Sequence, residues 1–189
     1  KDIRSILLMI RDETMIGILP VGAVPELILK IIASNIEVHL NLPSKILPFL
    51  GPPNDALDKG RQQYDAGKML QAFSVLELEG FRKVVAVCTQ DLFIPILTHV
   101  HGEAQQGGKF AIVSLFRLQK DKILSKLTSS VYERTVKVTL HEIGHLFNLF
   151  HCEDKRCLMH FSSTLDQLDA TPIFFCRYCF KYFKVAARR

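Results

Sequence analysis

A chain of 189 residues, 48% hydrophobic and 23% charged, is long enough for one domain with a buried core and short of two full-sized ones. This composition excludes a disordered or low-complexity chain, and no apolar run approaches the roughly 18 residues of a membrane-spanning helix. The net charge of +5 permits an acidic partner without requiring one, and four of the five cysteines crowd into the last fifth of the chain.

The chain begins at Lys1, and the apolar run Ile6 to Ile10 is too short for a signal peptide and is interrupted by Arg11-Asp12-Glu13. A cytoplasmic protein is expected. Short β-branched and aliphatic runs then alternate with helical patterns, the signature of an α/β layer structure. Met15 to Val21 reads as a buried strand, with Ile6 to Ile10 as a partner across the Asp12-Glu13 turn. Pro25 suits the first turn of a helix whose apolar face is Leu27, Leu29, Ile31 and Ile32, running to about Ala33. Glu37 to Leu42 reads as a strand, and Pro43 to Gly60, which holds four of the eight prolines, as a long surface loop. Ala66, Leu70 and Phe73 mark a second helix to about Leu78, with Gly80 as its stop.

Lys83 to Thr89 is a central strand that buries Cys88 as a small hydrophobe. Thr98 to Leu118 reads as two extended stretches around Gly107-Gly108, the first polar enough for a sheet edge. His99 and His101 share one face of that edge; exposed polarity explains them, with a ligand pair as the alternative.

Ser130-Val131-Tyr132-Glu133 matches a capping box, so a helix is expected from Val131, capped by Ser130 with Glu133 reaching back. Tyr132, Val136, Leu140, Ile143 and Phe147 form its apolar stripe. His141 and His145 lie one turn apart on one face, where two imidazoles converge on a zinc ion, and Glu142 stands beside the first as a base toward water. His151 reaches the same metal if the helix ends near Phe147 and the chain turns back at Asn148 in the left-handed conformation that Asn tolerates. Cys152-x4-Cys157 and Cys176-x2-Cys179 have the two-plus-two spacing of a closed, structural, all-thiolate zinc site, with two disulfides as the alternative.

The run HEIGHLFNLFH and the cysteines behind it resemble the metzincin metallopeptidases, and within them the archaemetzincins. That resemblance implies His141, His145 and His151 as catalytic zinc ligands, Glu142 as general base and Met159 as the Met-turn residue under the metal. It also implies an α+β zincin-like fold. Its parts are a mixed, roughly five-stranded twisted sheet, an active-site helix and a cysteine-rich, zinc-binding C-terminal part. One domain is expected, with an upper part at about 1–148 and a lower part at about 149–189. Two departures stand out: Asn148 replaces the usual Gly of the hinge, and Phe161 stands where astacin-like metzincins place a tyrosine.

The expected function is therefore zinc-dependent peptide hydrolysis, with one catalytic and one structural zinc per chain. The substrate would lie extended along the edge within Thr98 to Gln106. A zinc-stabilised binding module with little catalysis is the alternative, and Glu142, which pure binding does not need, separates the two. His160 reads as a solvated histidine, with substrate contact as its alternative. Lys181, Lys184, Arg188 and Arg189 read as a solvated basic face. A monomer is expected, with neither a membrane nor a nucleic-acid partner, because no recognition motif accompanies the basic tail.

Overall fold

The computed structural model describes residues 15–119 and 128–188. The expected strand at Ile6 to Ile10 and its pairing lie outside the described residues, as does Arg189. Strand β1 (Ile16–Val21) is buried along its whole length, as a strand covered on both faces must be. With β2 (Ser44–Ile46), β5 (Lys83–Cys88), β8 (Gly102–Ala104) and β9 (Phe110–Ser114) it forms a mixed five-stranded sheet in the order β2-β1-β5-β9-β8. All pairings are parallel except the last, where β8 runs antiparallel to β9. A smaller mixed sheet joins β3 (Leu57–Asp58), β4 (Gln63–Asp65), β6 (Leu92–Ile94) and β7 (Leu97–Val100).

Alternate side chains of the large sheet divide the core. Ile16, Ile18, Val85, Val87, Ala111 and Val113 pack against α1 (Glu26–Leu40) and α3 (Ser129–Leu146), and this cluster continues into the C-terminal tail through Leu158, Met159, Phe175 and Phe183. Leu19, Val84, Ala86, Cys88 and Ile112 face the other way, against Ala66, Met69, Leu70 and Phe73 of α2 (Ala66–Ser74). The mixed α/β architecture and the five-stranded sheet thus match the expectation. No helix among the described residues is long and apolar enough to cross a membrane.

Several local expectations are corrected. Glu37 to Leu42 is not a strand: α1 continues to Leu40 because Ile28, Ile32, Ile36 and Leu40 extend one buried stripe at i+4 spacing. The helix stops where Asn41 takes the left-handed conformation at φ 54° and its N–H bonds back to the Glu37 carbonyl. The period-two look of that segment misleads because Val38 is exposed. Leu27, read as part of the apolar face, is also exposed.

The proline-rich stretch at 43–60 is not one loop. It contributes the sheet-edge strand β2, a turn of 3-10 helix at Asn54–Ala56 and β3, and it buries Leu47 and Ala56. Helix α2 ends at Ser74 rather than near Leu78, so Gly80 lies beyond it. The first extended stretch between Thr98 and the glycines splits at His101, with β7 in the small sheet and β8 on the edge of the large one.

The capping box does not form. Thr128 is the N-cap of α3 without a side-chain hydrogen bond, and Glu133 instead pairs with Lys137 one turn on, at 2.7 Å.

Candidate metal centres and the cleft between them

Helix α3 carries His141 and His145 on its last turns, and its end follows the hinge expectation. Phe147 is the C-cap, Asn148 has φ 65°, the Asn148 N–H bonds to the His145 carbonyl at 2.9 Å and the Leu149 N–H to the Gly144 carbonyl at 3.0 Å. This paired 5→2 and 6→1 closure reverses the chain and returns His151 to the helix. The three imidazole centroids form a near-equilateral triangle with sides of 4.7, 4.9 and 5.2 Å.

Ring orientation is dictated from outside the triangle. His141 Nδ1 lies 2.7 Å from the Leu158 carbonyl and His145 Nδ1 lies 2.8 Å from the Leu149 carbonyl. A carbonyl only accepts, so each Nδ1 carries the proton and each Nε2 presents a lone pair. Those two Nε2 atoms face each other at 3.1 Å. Two lone pairs at that separation call for a cation between them, and nitrogens bound to zinc at about 2.0–2.1 Å in a tetrahedron stand a little over 3 Å apart. Burial pushes the pKa of His141 down to about 3 and also lowers those of His145 and His151. The rings therefore stay neutral, the form that binds metal. The donor set fits zinc.

Glu142 is buried among the walls of this site, and that burial, with the nearby Glu103, raises its carboxyl well above the usual range. Its carboxylate lies against the backbone of β8: a Cβ placed on Gly102 would fall 2.7 Å from Oε1. Met159 is fully buried beneath the helix, where a Cβ on Gly144 would fall 2.5 Å from its sulfur. Both glycines are needed for close approach, and neither is signalled by sequence pattern.

The four tail cysteines also converge. Their sulfurs lie within 4.8 Å of one another, Cys152 and Cys176 are 3.9 Å apart, and none of the chain's cysteines is in a disulfide. Sulfurs sharing one zinc at about 2.3 Å would stand ~3.8 Å apart, so this donor set fits a second zinc. Burial pushes the Cys157 thiol up to about 11 and raises Cys179 as well. Cys88 is core as expected, with burial pushing its thiol up to about 12.

The two clusters are stitched together by backbone. The Cys152 N–H bonds to the Met159 carbonyl and the His160 Nδ1–H to the Cys152 carbonyl, each at 2.8 Å. His160 is thus held in place and half-buried rather than free in solvent. Phe161 is half-exposed with its ring 5.2 Å from His151, which leaves no hydroxyl where a tyrosine would put one.

Above the three imidazoles runs a cleft of about 680 Å³. Its upper rim is the chain from Ile94 to Glu103, and Phe150, His160, Phe161 and Thr171 line the other side. His99 and His101 both line it, 6.0 Å apart, and take no part in the imidazole triangle. Burial pushes His101 down to about 4, and its Nδ1 has no hydrogen-bond partner.

The wall formed by α4 (Leu165–Ala170) is held to α3 by two buried cations. Arg134 makes a bidentate pair with Asp169 at 2.6 Å, and Lys137 Nζ donates to the Leu168 and Asp169 carbonyls at 3.1 and 3.0 Å. The basic face of α5 (Arg177–Ala187) behaves as expected, with Lys181, Lys184 and Arg188 exposed.

Comparison with known proteins shows the family and the fold. The profile of peptidase family M54 matches residues 27–185. An archaemetzincin of Methanocaldococcus jannaschii is 33% identical over 167 residues, covering 88% of this chain and 90% of its own. One from Methanopyrus kandleri is 38% identical over 127 residues, covering 67% and 69%. The crystal structure of the Methanopyrus kandleri archaemetzincin superimposes with a TM-score of 0.81 at 31% identity, covering 96% of this chain and 99% of that one. The malonate complex of the Archaeoglobus fulgidus archaemetzincin gives 0.77 at 30%, covering 89% and 99%.

Fold and family place the chain among the zinc metallopeptidases, hydrolases whose substrates are peptides. It belongs to peptidase family M54, the archaemetzincins.

Proposed function

We propose that the chain hydrolyses peptide bonds by metzincin-type chemistry, at a zinc ion held by His141, His145 and His151 with Glu142 as general base. The observation that carries the reading is the pair of Nε2 lone pairs 3.1 Å apart, each aimed by a carbonyl on the far side of its ring. Zinc bound there supplies Lewis acidity toward the substrate carbonyl and lowers the pKa of water. Glu142 takes the proton of the attacking water on a carboxylate oxygen and returns it to the leaving amine nitrogen.

The backbone edge of β8 that β9 leaves unpaired is open to an extended peptide, which would add one more strand beside the metal. Beneath the helix, Met159 packs as the apolar floor of the site. The four cysteines hold a second, closed zinc whose role is to pin the segment carrying His151 and Met159.

The reading is of a monomer of one domain, with the tail at 149–189 as its lower part. Five cysteines without a disulfide among them suit the reducing cytoplasm.

The test is Glu142→Gln. Turnover of a peptide library should fall by about 10²–10⁴-fold while both zinc ions stay bound. Unchanged turnover would sink the proposal, and would leave a zinc-stabilised binding module as the better description.

A further inference from the structure

We infer that Gln106, in the turn between β8 and β9, is a positioning residue for His145, acting through the Leu149 carbonyl. The inference rests on the reading of His145 as a zinc ligand.

The Leu149 carbonyl accepts two hydrogen bonds: one from His145 Nδ1 at 2.8 Å and one from Gln106 Nε2 at 3.1 Å. Because that oxygen can only accept, it dictates the orientation of the Gln106 amide, with Nε2 turned inward. The same Nε2 lies 3.2 Å from Asn148 Oδ1, which orients the Asn148 amide in turn. A second link runs alongside, from the Gly107 N–H to the His145 carbonyl at 2.8 Å.

Leu149 follows the left-handed residue of the helix end, so its peptide plane lies where the helical ladder has stopped. Among the described residues, His145 alone bonds to this carbonyl from the helix side. Gln106 grips it from the sheet side, on the hairpin that carries the open edge of β8. The ring of His145 is thereby aimed by two layers, and the outer one belongs to the turn that follows β8, the strand along which the substrate is proposed to lie. Asn148, where the resembling families have Gly, is part of the same clamp: its side chain is a partner for Gln106.

The side chain of Gln106 is exposed, so replacing it by Leu removes donors without opening the core. The experiment uses the full chain with the four-cysteine site loaded with zinc. Cobalt(II) is titrated into the three-histidine site against a competing chelator, and its visible absorption reports ligand geometry. Gln106→Leu should weaken cobalt binding by about 10-fold, the lower end for loss of an outer partner of a metal ligand, and should alter the cobalt spectrum. Gln106→Lys, which restores an N–H donor, should recover most of the affinity. Zinc retention at the cysteine site should be the same in all variants.

Unchanged cobalt affinity in Gln106→Leu overturns the inference. So does a parallel loss of metal from the cysteine site, which would mark Gln106 as a residue of general stability, or a failure of Gln106→Lys to restore binding. If the wild-type cobalt spectrum is indifferent to His145→Ala, it is the zinc-ligand reading of His145 that fails.

Discussion

The two clusters that could hold a metal lie within a few residues of each other in sequence and are built in opposite ways. The histidine cluster takes two imidazoles from a helix and one from the turn behind it, and it opens onto a cleft of about 680 Å³. The cysteine cluster takes all four thiols from the tail, and none of them lines that cleft. Three donors leave a tetrahedral cation one position for water or substrate, whereas four close it. Openness, more than ligand identity, separates a site suited to chemistry from one suited to holding the chain together.

A second contrast concerns support. The aim of His141 depends on the Leu158 carbonyl, whose own N–H is tied to the Phe174 carbonyl at 2.9 Å within the cysteine-rich tail. The aim of His145 depends on the Leu149 carbonyl at the helix end. The open site is thus oriented from two directions, one of them the closed site.

That dependence can be broken from the closed side, with the largest expected effect. Cys157→Ser removes a fully buried thiol of the four-cysteine cluster, and loss of the zinc proposed there would forfeit binding free energy on the order of 10 kcal/mol. Limited proteolysis should cut the tail at 149–189 and metal analysis should show both zinc ions lost. Retention of the histidine-site zinc would separate the two sites energetically.

A smaller effect comes from the open side. Gly102→Ala would set a Cβ 2.7 Å from Glu142 Oε1 and displace the carboxylate. Misplacement of about 1 Å costs up to ~10²-fold in rate, so turnover should fall that far while zinc content and thermal stability stay near wild type. A loss of zinc instead would place Gly102 with the metal ligands.

The smallest effect is a pH slope. His101 is held neutral by burial, with its pKa pushed down to about 4 from 6.5. Its folded-state pKa lies below the unfolded one, so the unfolded chain binds the proton more readily. The contribution is complete above about pH 6.5 and is lost as the pH falls toward 4. Denaturant unfolding between pH 7 and 5 should show wild-type stability falling more steeply than that of His101→Gln. Parallel curves would mean that His101 is solvated.

The histidine cluster was legible in the sequence because its determinants are local. Four residues of spacing set two rings on one face, and Asn148 marked the reversal that its φ of 65° carries out. The cysteine spacing was legible for the same reason. Gly102, Gly144 and Gln106 were not, since each matters through a neighbour far along the chain: Glu142, Met159 and Leu149 respectively. The large sheet was largely visible in its buried strands. Its edge strand β2 is hidden among prolines, and the end of α1 looks like a strand because Glu37-Val38-His39-Leu40 alternates as strands do. Burial of Ile36 and Leu40 by the sheet decided that segment, and local pattern does not encode it.

The division of labour between an open and a closed site is tested most directly by zinc content per chain, followed through graded chelation together with peptide hydrolysis. The expected result is two zinc ions. One is removed readily, with loss of hydrolysis and the fold intact; the other resists until the tail unfolds. A single chelator-resistant zinc, with hydrolysis absent in the untreated protein, would contradict it.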